Sequence, residues 1–573
     1  MTTGTAESTA EATDPREADY DLIVIGAGAA GMATALFAAI EGMKVLVLER
    51  TQWVGGTSAL SAGALWIPNT HLAAGSGDTP QRAARYLELS TGGRTPARLR
   101  ERFLSLGPQV VRILEDHTEV RMRAFARHPD YLSELEGSTT HGRALECLPF
   151  DGRQLGDAFA LVRPPIPEFT VLGGMMVDRI DIGHLLNLTR SAASFAHASR
   201  LLLRYLADRL RHPRGTRLVM GNALVGRLLF SLQKRQVPVW TQTTVDRLLE
   251  ANDRVTGVEV SRAGARQVLH ARAGVVLAGG GFNEHPQLRK QLIPAEVRHS
   301  PRAGASPALL YEQALALGAR LGKVEGSAAF LTPVSARTRA DGSTAVFPHF
   351  VLDRGKPGTV VVNAQGRRFV NESASYQLFG ERMLEQHSGH RPNALAFLIA
   401  DRRALLKYGL GMVRPGGRGV AAALRSGYLV RAQSVAALAQ ALDIDATALT
   451  DTVERMNRYA KNGLDADFQR GSTAYQTNLG DPAVGPNPNL GAIETPPFYA
   501  LRLYPGDIGA AVGLVTDADA RVLRGDAPIG GLFAVGNDMH SVMGDAYPGP
   551  GITLGPAVVF AFAAAQAARR GKA

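Results

Sequence analysis

The first residues with a chemical signature are Gly26-Ala27-Gly28-Ala29-Ala30-Gly31, set between an apolar run at 21–25 and an alanine-rich stretch that continues to Ile40. Glycines at these spacings suit a pyrophosphate. Gly26 allows a tight turn, Gly28 lets backbone N–H groups approach the phosphates, and Gly31 lets the following helix pack on the strand. The helix N-terminus directs partial positive charge toward the anion. A second apolar run, 44–48, closes on Glu49, eighteen residues after Gly31, about where a carboxylate accepts hydrogen bonds from an adenosine ribose. A glycine turn alone is common. Strand, helix, second strand and acid in this order predict a β-α-β dinucleotide site.

After Glu49 and Arg50 comes a loop of glycines and hydroxyls containing Gly55, Gly56, Thr57, Ser58, Ser61, Ala62 and Gly63. It resembles the loop that wraps the FAD pyrophosphate and flavin in glutathione-reductase-like and fumarate-reductase-like flavoproteins. Two later stretches fit the same resemblance: 274–282 (GVVLAGGGF), with Ala278, Gly279 and Gly280 at its turn, and 532–538 (LFAVGND), with Gly536 and Asn537. Val245 is a further contact that the resemblance implies. Gly549-Pro550-Gly551-Ile552-Thr553-Leu554-Gly555-Pro556 leads into a C-terminal helix with proline in its first turn. In the resembling flavoproteins that N-terminus points at the flavin C2 carbonyl, so Gly551, Thr553 and Leu554 are implied contacts; simple docking of a terminal helix is the plainer alternative. Covalent relatives carry a histidine on the flavin loop. This chain has Thr57 and Ser58 there and no nearby histidine before His71, so FAD is expected to be held non-covalently.

Three tyrosines narrow the resemblance. Residues 366–376 read Gly366-Arg367-Arg368-Phe369-Val370-Asn371-Glu372-Ser373-Ala374-Ser375-Tyr376. Fumarate-reductase-like flavoproteins share the G-x-R-F-V-N-E stretch and place a proton-delivering arginine four residues past its glutamate, where this chain has Tyr376. His128-Pro129-Asp130-Tyr131 supplies a P-D-Y segment and Tyr547-Pro548-Gly549-Pro550-Gly551 a Y-x-x-x-G segment. Singly, a tyrosine is more often a half-buried packing residue. Together these segments make the chain resemble the 3-ketosteroid Δ1-dehydrogenases over nearly its whole length.

That resemblance implies desaturation beside a ketone, with a proton lost from C2 and a hydride passed from C1 to flavin N5. Tyr376 is then the base at C2 and Tyr131 its hydrogen-bonding support. Tyr547 and the Gly551 N–H stabilise the enolate-like oxygen, each donor contributing about 3–4 kcal/mol where water is excluded. A free phenol, with a pKa of about 10, is a poor base at neutral pH. Tyr131 and nearby arginines are therefore expected to lower that of Tyr376. The implied substrate is a ketosteroid or similar cyclic ketone, and the implied electron acceptor is external and quinone-like. Two other readings stay open: an enone or fumarate-type reductase on the same scaffold, and a non-catalytic flavin-binding redox module. Against the reductase stand Tyr376 and the absence of haem motifs.

These residues need a discontinuous architecture to hold them. At 573 residues, 45% hydrophobic and 20% charged, the chain is of ordinary globular composition and long enough for more than one domain. The expected fold is α/β: a Rossmann-like, glutathione-reductase-type FAD-binding domain with an inserted α+β substrate-binding cap. Residues 1–18 read as a disordered tail. The FAD-binding domain takes 19–305, including a mostly helical insertion at about 80–235, and resumes at 486–573 after the cap at 306–485. A single cysteine, Cys147, excludes a disulfide framework and a CxxCH haem site. No secretory signal is recognisable, and no apolar run approaches the roughly 20 residues of a membrane span, so a cytoplasmic location is expected.

The formal charge is +11. The arginines are diffuse and no nucleic-acid module is recognisable, so nucleic acid is not an expected partner. Residues 199–218 read as an arginine-rich helix on the protein's own surface, or as a basic amphipathic helix giving weak peripheral membrane association. His349 and His540 are candidates for acid–base or quinone contacts, against a structural role. No histidine–carboxylate spacing argues for a metal.

Overall fold

The apolar run before the glycines forms the strand Tyr20–Ile25, buried on both faces as the centre of a parallel sheet requires. It pairs in parallel with Val45–Leu48 (Leu22 opposite Val45) and with Ala265–Leu277 (Ile23 opposite Val275). Val239–Trp240 extends this sheet on one side and Ala527–Ala534 on the other, both in parallel. Thr243–Ala251 and Arg254–Arg262 form an antiparallel meander with Ala265–Leu277. Helices Ala29–Ile40 and Leu554–Lys572 pack together, Phe37 meeting Phe562 edge to face at 5.3 Å. The two ends of the chain thus build one nucleotide-binding unit. This computed structural model describes residues 19–304, 308–350, 353–386 and 391–572; the segment 1–18, read above as a tail, lies outside the described residues.

A second sheet lies in the middle of the chain. Its strands run in the order Thr344–Pro348, Ala329–Thr338, Phe498–Ala510, Ala396–Ala400, Thr359–Asn363, each antiparallel to its neighbour. Alternation along Thr359–Asn363 sorts two cores: Val361 packs with Phe379 and Leu398, while Val360 and Val362 pack with Leu438 and Leu449 on the other face. Helix Ala446–Asn462 is started by Asp445, which accepts from the Ala448 N–H at 2.9 Å, and stopped by Gly463 at φ 76°. One boundary is corrected. Phe498–Ala510, assigned above to the second nucleotide-binding segment, is the central strand of this second sheet, with Tyr504 opposite Val334 and Leu501 opposite Leu398. Only pairing on both edges reveals that.

The stretch 80–235 carries helices such as Pro80–Thr91, Ala97–His117 and Met220–Lys234, and it also holds the strand Ala144–Cys147, antiparallel to Leu65–Trp66 and Met122–Ala124. This small sheet fixes the loop carrying Tyr131 beside the nucleotide-binding unit. The expected basic helix is shifted: it runs Ala192–Arg209, with Ser191 as N-cap accepting from the Ser194 N–H. Pro213 lacks the N–H needed to continue it.

Candidate active site

Ser375 accepts from the Leu378 N–H at 3.3 Å and so starts the helix Tyr376–Leu384, which places Tyr376 in its first turn. The stretch before it is a clamp. Arg368 is bidentate to Glu372 (2.8 and 2.7 Å) and to Asp465 (2.8 and 2.7 Å), and Arg470 lies 3.3 Å from Glu372. Burial alone would raise the Glu372 carboxyl, but Arg368 and Arg470 hold it below the usual range. The charged residues of G-x-R-F-V-N-E therefore anchor the approach to Tyr376 rather than face a ligand.

Tyr131 and Tyr547 are tied to each other through the backbone. The Tyr131 N–H donates to Pro548 O at 2.9 Å, and the Tyr86 hydroxyl donates to the same oxygen at 2.6 Å. Asp130 anchors the P-D-Y segment, accepting from Trp66 Nε1 (2.8 Å) and from buried Arg143 (2.7 Å). As a result Tyr131 stacks on Tyr547 with ring centroids 5.8 Å apart and 12° between planes. The Tyr131 and Tyr376 hydroxyls lie 3.3 Å apart, and the Tyr376 ring is 4.9 Å from that of Tyr547. Phe330 meets Tyr547 edge-on at 5.2 Å, and Phe350 meets Tyr376 at 4.9 Å. All three tyrosines are buried.

Burial pushes the Tyr376 hydroxyl well above the ordinary phenol value, and the neighbouring Tyr131 and Tyr547 phenols add to that. The expectation that Tyr131 lowers it is corrected here: in this dry cluster desolvation is the larger effect and the net shift is upward. A phenolate at Tyr376 needs a compensating charge. Gly551, at φ 92°, passes so close to the chain that a Cβ there would sit 2.2 Å from Ala64 O. Its carbonyl accepts from the Trp66 N–H at 3.1 Å, and among the described residues its own N–H has no acceptor.

The cradle lies next to this cluster. Gly26 and Gly31 are set by close packing, since a Cβ would stand 2.3 Å from Ala278 O and 1.9 Å from Gly26 O respectively. Gly28, Gly56 and Gly280 differ: a Cβ on them would meet nothing nearer than 3.9 Å, so they border open space. Glu49 accepts from the Ala27 N–H (3.0 Å) and from Thr51 N–H (2.8 Å), and Ser58 Oγ accepts from the Ala29 N–H (3.2 Å). Gly55 N–H donates to Ala27 O at 2.7 Å, binding loop to turn. Thr57 accepts from Ala303 N–H, Ser61 from Gly63 N–H, and Gly63 closes on helix Met220–Lys234. Arg50 and Ala62 are exposed and Val245 is buried in the meander. Gly279 and Gly281 N–H groups go to Asp538, and the Cα of Gly280 faces open space at that turn. Gly536, Asn537 and Thr553 line a cavity with His540 and Phe330 at the start of the C-terminal helix, which Leu554 opens. Open glycines, a carboxylate and a helix N-terminus in one groove fit a dinucleotide.

Several residues escaped the sequence reading. Arg163 reaches Thr51 Oγ1 at 3.2 Å beside Glu49, and its buried Nε has no partner among the described residues. Tyr475 lies 4.6 Å from the Tyr131 ring; burial pushes its hydroxyl up to about 12, against the opposing effect of Arg354 beside it. Arg354 is buried close by. None sits in a patterned segment, so spacing offered no signal. His349 turns out to be structural, held between Asp353 (2.7 Å) and Ser335 (2.8 Å). His540 lines the cavity, and burial lowers its pKa. Among the described residues no cluster suits a metal.

The fold and the tyrosine cluster beside the glycine cradle define an FAD-dependent oxidoreductase. Residues 21–554 match the family model described as FAD binding domain. A 3-ketosteroid Δ1-dehydrogenase from Sterolibacterium denitrificans, solved with 1,4-androstadiene-3,17-dione, matches with a TM-score of 0.88 and 35% identity, over 96% of this chain and 99% of its own. The 3-oxosteroid 1-dehydrogenase of Mycolicibacterium smegmatis is 35% identical over 563 residues, 96% of each chain. The 4-oxocyclohex-2-ene-1-carboxylate 5-dehydrogenase of Sinomonas cyclohexanicum is also 35% identical, over 95% of this chain and 93% of its own. The chain belongs to the FAD-binding-domain family and, within it, to the dehydrogenase branch that these relatives represent; FAD is its cofactor.

Proposed function

We propose that this enzyme introduces a C1–C2 double bond into a 3-oxosteroid, using Tyr376 as base and Tyr547 with the Gly551 N–H as the site for the carbonyl oxygen. The convergence of Tyr131, Tyr376 and Tyr547 in one buried cluster beside the cradle carries the reading. Tyr547 and Gly551 polarise the ketone and so acidify C2. Tyr376 removes the C2 proton, with Tyr131 sharing its hydrogen bond. Phe330, Phe350 and the tyrosine rings exclude water and offer flat apolar walls to a fused-ring substrate. FAD, bound without a covalent link, supplies the acceptor for the hydride leaving C1, and an external quinone-like molecule re-oxidises it.

A second substrate reading follows from the equally similar relative named for a monocyclic oxo acid. Both substrates place an acidic C–H beside a ketone, so the same tyrosines serve either. Anaerobic bleaching of the flavin separates them. We expect a 4-ene-3-oxosteroid to bleach it and 4-oxocyclohex-2-ene-1-carboxylate not to; the reverse result would transfer the reading to monocyclic acids, and bleaching by neither would overturn it.

The proposal extends to weak docking on an anionic membrane surface. Among the described residues no helix is long and apolar enough to cross a membrane. Helix Ala192–Arg209 turns Ala198, Leu201 and Tyr205 inward and leaves Phe195 (61%), Leu203 (67%) and Leu206 (54%) exposed, with Leu210 (86%) just beyond it. Arg200, Arg209 and Arg211 are exposed along this stripe, whereas Arg204 pairs with Asp151 at 2.9 Å. Apolar side chains flanked by free arginines suit an interface with acidic lipid headgroups. Glutamate at positions 200, 209 and 211 should abolish co-sedimentation with anionic vesicles while leaving flavin reduction by soluble steroid unchanged. Co-sedimentation that survives the triple change would remove the idea.

A further inference from the structure

Arg354 is fully buried, and among the described residues its guanidinium is held by backbone carbonyls, with the Tyr475 hydroxyl beside it, rather than by a carboxylate. Nε donates to His349 O at 2.8 Å, one terminal nitrogen donates to Phe350 O at 3.0 Å, and the other reaches Glu372 O. The nearby acids have closer partners than Arg354. Glu372 is held by Arg368 at 2.7 Å and Arg470 at 3.3 Å, and Asp353 is held by His349 at 2.7 Å. The other titratable groups around Arg354 are the phenols of Tyr475 and Tyr131.

The same contacts bracket Tyr376. Glu372 precedes it in the loop, and the Arg354 guanidinium lies 5.1 Å from the ring of Phe379, on the Tyr376 helix. Phe350, whose carbonyl Arg354 holds, packs its ring 4.9 Å from that of Tyr376. A buried cation that no carboxylate contacts directly among the described residues is costly unless negative charge forms beside it. We propose that Arg354 positions Tyr376 and stabilises the tyrosinate that the Tyr376–Tyr131 pair reaches before taking the C2 proton, the phenol's own proton having passed to solvent. The inference rests on the reading of Tyr376 as base. Arg354 favours ionisation of Tyr131 and of Tyr475, as a cation beside phenols does. The other ionisable group facing Tyr376 is Tyr547, which disfavours the charged form.

The decisive measurement needs no substrate: alkaline titration of tyrosinate absorbance in the holoenzyme, taken as the difference between each protein and its Tyr376→Phe counterpart. Arg354→Met should move the Tyr376-dependent transition upward by about one pH unit or more, while Arg354→Lys, which keeps the charge, should move it far less. The pH profile of anaerobic flavin reduction should shift in the same direction, with lysine restoring its position but not its full rate. An unshifted transition in Arg354→Met, with FAD content and Tm retained, overturns the proposal, and so does an equal shift in both variants. If Arg354→Met does not fold, Arg354→Gln keeps donors for the carbonyls without the charge and gives the same comparison. A wild-type flavin that no 3-oxosteroid reduces would defeat the proposed function, yet leave the titration to decide this inference.

Discussion

Tyr376→Phe is expected to yield a yellow protein that retains FAD and binds a 3-oxosteroid, but whose flavin is reduced about 10²–10⁴ times more slowly, the usual contribution of a positioned acid–base group. The change removes only the hydroxyl. The ring contacts with Phe350 at 4.9 Å and Tyr547 at 4.9 Å remain, so binding and stability should change far less than rate. The sign of the pH dependence follows from burial, which holds this hydroxyl well above the ordinary phenol value. A base that is mostly protonated at neutral pH gives a wild-type rate that rises with pH until the phenol ionises, and Tyr376→Phe should abolish that limb. Anaerobic stopped-flow reduction across pH reads both effects. A slowing of less than about tenfold would place the base elsewhere.

Tyr547→Phe should slow flavin reduction by about 10²–10³, because it deletes one of two donors to the developing oxyanion. Its stacking on Tyr131 and edge contact with Phe330 survive the change. The limb that rises with pH should persist but move to lower pH, because the Tyr547 hydroxyl that disfavours ionisation of Tyr376 is gone, and this distinguishes the variant from Tyr376→Phe, which abolishes the limb. Near-normal reduction would refute the oxyanion role. The partner donor cannot be probed as cleanly, because a Cβ at Gly551 would collide with Ala64 O and move the loop.

Much of the nucleotide-binding unit was legible because its determinants are local. A buried parallel strand reads as a continuous apolar run, and a turn that brings backbone to phosphate requires glycine at fixed spacings. The determinants of the helix Ala446–Asn462 are equally local, since its cap and its terminal glycine lie within one segment. The strand Phe498–Ala510 was misassigned because its membership depends on partners far away in the chain. The G-x-R-F-V-N-E stretch marked the right neighbourhood, but its charged residues proved to be an anchor for Tyr376.

From sequence alone came the class of cofactor, the position of the glycine turn and the three tyrosine-bearing segments, all properties that a short stretch of residues carries by itself. Only the tertiary structure decided that Tyr131 and Tyr547 share the Pro548 carbonyl region, and that the Tyr131 and Tyr376 hydroxyls meet at 3.3 Å. It also turned Leu203 and Leu206 of Ala192–Arg209 outward and left Arg354 buried with no direct carboxylate contact among the described residues. The physical reason is the same in each case. Desolvation and charge balance depend on which distant segments enclose a group, and spacing along the chain holds no record of that enclosure.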